Sequence, residues 1–179
     1  MSRLQFVEAK AVFEAFPTLA GEIETPPTQQ PPLDFLRELL KSPKPDDAII
    51  FSACLMPRRM VVWWASQCVR AMLAAPTAAD RIALDTAEDW VRAPDETRRN
   101  EALRIGISAS SKAASTWVAN AAGWSGGSIM LDNPQGPPAP PHLTAAAARN
   151  ALALLLAGRP DREAQIAKCV DKCIELAQS

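Results

Sequence analysis

Two cysteines near the C-terminal end, Cys169 and Cys173, stand four residues apart. On a helix that spacing turns both thiols to one side, where they could supply half of a metal site. Cys54 and Cys68 would have to complete it, and neither belongs to a C-x-x-C knuckle, the usual zinc signature. All four stand among apolar residues, and a reduced cysteine packs as a small hydrophobe. The reading is four core thiols, with no metal and, in a reducing compartment, no structural disulfide. His142 is the sole histidine, so Ser-His-acid or Cys-His chemistry would have to run through it. No second member of a triad is in view. Its place between a proline run and a helix start suits a cap or a loop anchor. Glu88 and Asp89 fall on the solvent side of a helix by periodicity, which leaves no paired carboxylates for acid–base work. No catalytic residue and no cofactor are assigned.

Ser125-Gly126-Gly127-Ser128 could cradle a phosphate with backbone N–H groups. It lacks the lysine-bearing phosphate-loop pattern, and no strand precedes it, so a flexible turn fits better. Arg58 and Arg59 fall at a helix N-terminus, where cations oppose the macrodipole. The preferred answer to that charge is an ion pair with Asp46, Asp47 or Glu38 of neighbouring helices. The sharper one is a partner's carboxylate or phosphate gripped by the guanidinium forks. Trp63 and Trp64 follow and read as core, one of them reaching a rim because adjacent helix positions point about 100° apart. The run Pro134–Pro141 can adopt polyproline II, which docks on aromatic grooves. Trp117 and Trp124 are close in sequence, so docking within the chain is preferred. The candidate partner-binding residues are Arg58, Arg59, Trp124, Pro137, Pro138 and His142.

Helices must position these groups. The chain has 179 residues, 33 of them Ala, with no Tyr and only seven Gly. Alanine is the strongest helix former, and an all-β domain would need β-branched residues, aromatics and glycine turns. Lys and Arg total 19 against 20 Asp and Glu. That balance provides no electrostatic footprint for nucleic acid or an acidic membrane surface. No apolar run reaches membrane-spanning length. Arg58-Arg59 with the following apolar stretch imitates a twin-arginine export signal, but it begins far inside the chain, and cytoplasmic residence is expected.

Residues 8–16 and 18–23 read as short helices, ahead of the proline-rich stretch 25–32, which predicts a stiff extended linker. Helical spacing returns at Leu33–Lys41. Asp46 and Asp47 suit a helix N-terminus. A nearly all-apolar helix over 57–74 reads as the buried centre. Thr77 with Asp80, Asp95, Ser110 or Ser111, Thr144 and Asp161 predict successive helix starts. Ile82, Trp90, Val91, Leu103 and Ile107 are expected to face inward. Residues 123–142 form the longest non-helical stretch, and a loop of that length is functional or disordered. The expected fold is all-α, one compact domain of about eight helices around a buried central helix. The expected division is 1–32 as an N-terminal segment and 33–179 as the main domain.

Four pieces carry a family resemblance: Pro57-Arg58-Arg59 with Val62-Trp63-Trp64-Ala65; Ala87-Glu88-Asp89-Trp90-Val91; Trp124-Ser125-Gly126-Gly127-Ser128; and the proline run into His142-Leu143-Thr144-Ala145. In order and spacing, over roughly Leu33 to Ala157, the chain resembles a bacterial family of small helical proteins with no established activity or catalytic residues. The resemblance therefore transfers no site. What it implies is a genomic setting among type VI secretion genes, near spike-tip and adaptor proteins. The expectation is a non-catalytic adaptor, chaperone or accessory protein that binds another protein. The rival is an enzyme or small-ligand binder with a site near Arg58, His142 and Ser125–Ser128.

Overall fold

The computed structural model describes residues 3–179. Among them lie ten helices: α1 Ala9–Ala15, α2 Leu19–Glu22, α3 Pro32–Leu40, α4 Asp46–Ser52, α5 Arg58–Met72, α6 Ala78–Arg92, α7 Glu96–Ser108, α8 Ala114–Gly123, α9 Leu143–Leu156 and α10 Arg162–Gln178. The class is all-α, as composition predicts. The count is ten against the expected eight, and α1 and α2 are the short helices read at 8–16 and 18–23. No described helix is long and apolar enough to cross a membrane. The helices group into two compact units, residues 3–57 with Gly158–Ser179, and Arg58–Ala157.

The first unit holds α1–α4 and α10. Its centre is a cluster of three phenyl rings, Phe13 from α1, Phe35 from α3 and Phe51 from α4, with centroids 5.0–5.9 Å apart. Ile166, Cys169, Val170, Cys173 and Ala177 form the buried stripe of α10 that the spacing predicts. The expected boundary at 32/33 falls inside this unit. The extended proline stretch is pinned to α1, since Ala9 N–H donates to Gln30 O and Lys10 N–H to Thr28 O, both at 2.9 Å. The acids expected to answer Arg58 and Arg59 have partners here. Asp46 takes the Arg162 fork, Glu38 accepts from Gln30, and buried Asp47 accepts a backbone hydrogen bond from Glu24.

The second unit, α5–α9, is centred on α8 and not on the predicted α5. Helix α8 packs against α5, α6, α7 and α9, and every residue of it but Trp117 is buried. Small residues explain the inversion, because Ala114, Ser115, Ala119, Ala121, Ala122 and Gly123 let four neighbours approach at once. A Cβ on Gly123 would stand 2.6 Å from Leu103 Cα, and one on Gly106 2.0 Å from Asn120 Oδ1. Helix α5 still buries Trp64 fully and leaves Trp63 partly exposed, the one-in, one-out placement expected.

Several predicted details change. Thr77 and Asp80 form a capping box, and Asp95 caps α7 through Arg98 N–H at 2.8 Å. By contrast Ala113, with no capping side chain, precedes α8, and α9 begins at Leu143, one residue before Thr144. Asp161 precedes α10 without capping it, because Arg159 and Gln165 occupy its carboxylate. Ile82 and Ile107 are exposed, whereas Trp90, Val91 and Leu103 are buried. Gly158 stops α9 in the left-handed conformation, φ 68°.

Candidate interaction site

The second unit ties its sequence motifs to one another through helix C-terminal carbonyls. The last carbonyls of a helix lack intrahelical donors and carry partial negative charge. Arg59 Nε donates to Val91 O at 2.5 Å, at the end of α6. Arg58 Nη1 donates to Ser125 O at 3.0 Å, just past α8. The two arginines are thus answered by backbone carbonyls and not by the predicted acids. The dipole conflict of α5 is resolved by its neighbours' opposite ends. Thr144, expected as a cap, instead donates from inside α9 to Trp124 O at 3.2 Å.

Arg99 of α7 completes the fastening and is only 3% exposed. Its Nη1 donates to Gly123 O at 2.5 Å and Ser128 O at 3.2 Å. Its Nε and Nη2 grip the two oxygens of Glu96 at 2.8 and 2.5 Å, and Nη2 also reaches Asn100 Oδ1. The Arg99 contact holds the Glu96 carboxyl below its ordinary range. Gly127 passes directly over the guanidinium. A Cβ there would lie 2.9 Å from Arg99 Nε, and its φ of 57° is left-handed. Gly127 therefore lets the chain cross an arginine, and the segment is not a phosphate cradle, since Ser125 O and Ser128 O face the Arg58 and Arg99 cations.

The stretch 123–142 is an ordered hairpin-like loop. Ile129 N–H donates to Pro137 O at 2.9 Å and Ala139 N–H to Gly127 O at 2.8 Å, around the bridge between Ser128 and Pro138. Pro138 of the proline run bridges to Ser128 of the Ser-Gly-Gly-Ser segment. Trp117 and Trp124 pack on each other, rings 6.5 Å apart and each partly exposed. Outside, Arg104 Nη2 donates to both carboxylate oxygens of Asp132, at 3.0 and 2.9 Å, and ties the tip to α7. Ile129, Met130, Pro137 and Pro138 point to solvent. His142 is also exposed and makes no capping bond.

A second buried group sits between α5 and α6. Glu88, 5% exposed, accepts from Ser66 Oγ, from Arg70 Nε at 2.6 Å and from Arg92 Nη2 at 3.2 Å. The solvent-side reading of Glu88 is overturned, while Asp89 is exposed as expected. Both Arg99 and Glu88 had a legible signal. Arg99 heads the stripe Arg99–Ala102–Leu103–Gly106, and Glu88 continues Leu84 toward Val91, each at helical spacing. A charge on an apolar stripe needs a buried partner.

The four cysteines are buried thiols. Among the described residues no three His, Cys, Asp or Glu side chains converge as a metal set would. An open cleft of about 540 Å³ lies in the first unit, lined by Thr25, Asp34, Arg37, Glu38, Lys41 and Ser42. It contains none of the candidate partner-binding residues.

Fold and site together define an all-α protein whose motif residues serve to brace an ordered, partly apolar loop. The chain belongs to the family of unknown function DUF6931, whose pattern matches residues 35–177. No curated protein and no solved structure matches it.

Proposed function

We propose that this protein is a non-catalytic interaction module, an adaptor, chaperone or accessory subunit, and that the 123–142 loop is its docking element. One observation carries the reading. The loop is fastened from within by Arg58, Arg99 and Thr144 while Ile129 and Met130, 36% and 48% exposed, face water at its tip. Ordering a loop costs conformational entropy, and apolar side chains held out on a braced turn lower the cost of binding a partner. Pro137 and Pro138 extend this surface, and proline lacks the N–H that would invite strand addition.

Of the predicted partner residues, Trp124, Pro137 and Pro138 stay in the docking proposal. Arg58 and Arg59 are reassigned to bracing. The rival site near Arg58, His142 and Ser125–Ser128 would have to share Arg58 and Arg99 with the carbonyls they already brace. The resemblance to proteins encoded near type VI secretion genes supports a cytoplasmic role in effector loading, with another protein as partner.

The test is site-specific crosslinking from position 129 or 130 in cells carrying the type VI apparatus, with position 82 on α6 as control. The expected result is one protein captured from the loop positions and lost in an Ile129→Asp, Met130→Asp variant of unchanged thermal stability. Equal capture from position 82, or capture that survives the double substitution, overturns the reading.

A further inference from the structure

We propose that Met130 is a modification site: a methionine that peroxides convert to the sulfoxide while the fold stays intact. Thioether oxidation follows solvent access. Met130 is 48% exposed, whereas Met56 and Met72 are 2% and 5% exposed and Met60 is half-buried. The backbone that carries this side chain is fixed, because Met130 N–H donates to Ser128 Oγ at 3.0 Å within the bridged hairpin.

The reaction is a two-electron transfer. A sulfur lone pair attacks one peroxide oxygen, the O–O bond breaks and an S–O bond forms. The sulfur is oxidised, and the peroxide is reduced to water, or to an alcohol from an alkyl hydroperoxide. The product has a partner in place. Asn133 Nδ2 lies 3.7 Å from Sδ and already donates toward it. A sulfoxide oxygen is a stronger acceptor than a thioether, which is only a weak one. Asn133 can therefore hold the product on the surface of the turn. Met130 lies outside the core, so oxidation turns an apolar tip polar. A loss of partner docking on oxidation rests on the function proposed above, whereas the modification itself does not.

The full chain is exposed to hydrogen peroxide, and each methionine peptide is followed by mass spectrometry, that of Met1 separately. The Met130 peptide should gain one oxygen about tenfold or more faster than the Met56 and Met72 peptides. The melting temperature should hold, and methionine sulfoxide reductase should reverse the gain. Met130→Leu should remove that fast gain while Met56 and Met72 stay slow. Oxidation of Met130 no faster than of Met56 and Met72, or a melting temperature that falls in step with Met130 oxidation, overturns the inference. Fast oxidation at Met130 with crosslinking from position 129 undiminished sinks the docking reading and leaves the modification standing.

Discussion

Arg59 Nε donates to Val91 O at 2.5 Å, so a cation in the first turn of α5 sits on the C-terminal end of its antiparallel neighbour α6. Its Nη2 also reaches Arg92 O, at 3.4 Å. The Arg59 side chain is exposed, so this cap is worth only about 0.3–1 kcal/mol. Arg59→Ala should lower unfolding free energy by that amount in urea titrations, and Arg59→Lys should recover part of it. A loss above about 3 kcal/mol would show that the residue does more than cap.

Arg99 should behave differently. Truncation to Ala orphans Gly123 O and Ser128 O in a buried setting, at about 1–3 kcal/mol each. Arg99→Ala should therefore cost several times more than Arg59→Ala. Amide exchange should also speed up at Ile129 and Ala139, whose N–H groups close the hairpin.

Trp64 and the α7–α8 contact test the core. Trp64→Ala removes a fully buried indole and should cost about 3–5 kcal/mol. Gly123→Ala pushes a methyl group onto the Leu103 backbone and should cost about 1–3 kcal/mol. Gly126, which has open space around it, should accept Ala with a change of less than about 0.5 kcal/mol. Chemical denaturation ranks all three.

Asp161 sets a pH dependence. Hydrogen bonds from Arg159 and then Gln165 hold its carboxyl down at about 2, against an ordinary value of 3.8. A depressed carboxylate contributes stability that is fully present above about 4 and fades as pH falls through about 2. Carbon-detected titration should find the Asp161 midpoint near the lower value, and Arg159→Ala should raise it toward the ordinary one. An unchanged midpoint in the variant would reject that cause.

Burial pushes the Cys173 thiol up to about 12, beyond thiolate formation near neutrality. An aromatic disulfide reagent at pH 8 should leave Cys173 unlabelled in the native protein and label it in denaturant. Metal analysis of the same preparation should find no stoichiometric zinc. Rapid native labelling of Cys173, or one zinc per chain, would reject the core reading of the α10 cysteines.

Helix type and most helix starts were legible in the sequence because they are local properties. Alanine content, the Thr77–Asp80 box, the Asp95 cap and the stripe Ile166–Cys169–Val170–Cys173 involve residues within one or two turns of one another. The same locality exposed a conflict at Arg58-Arg59 without resolving it. Its resolution lies 32 and 67 residues downstream, in carbonyls that any residue type provides, so no side-chain pattern marked them. For the same reason α5 looked central. Apolarity is visible in the residues, whereas the centre went to α8, whose small side chains let four helices close around it. The sequence by itself determined an all-α chain, the caps at Thr77 and Asp95, and its buried cysteines. Only the tertiary structure decided that Arg99 and Glu88 lie inside, that Pro138 bridges to Ser128, and that Ile129 and Met130 face water. Those outcomes depend on which distant backbone groups need donors once the helices have packed.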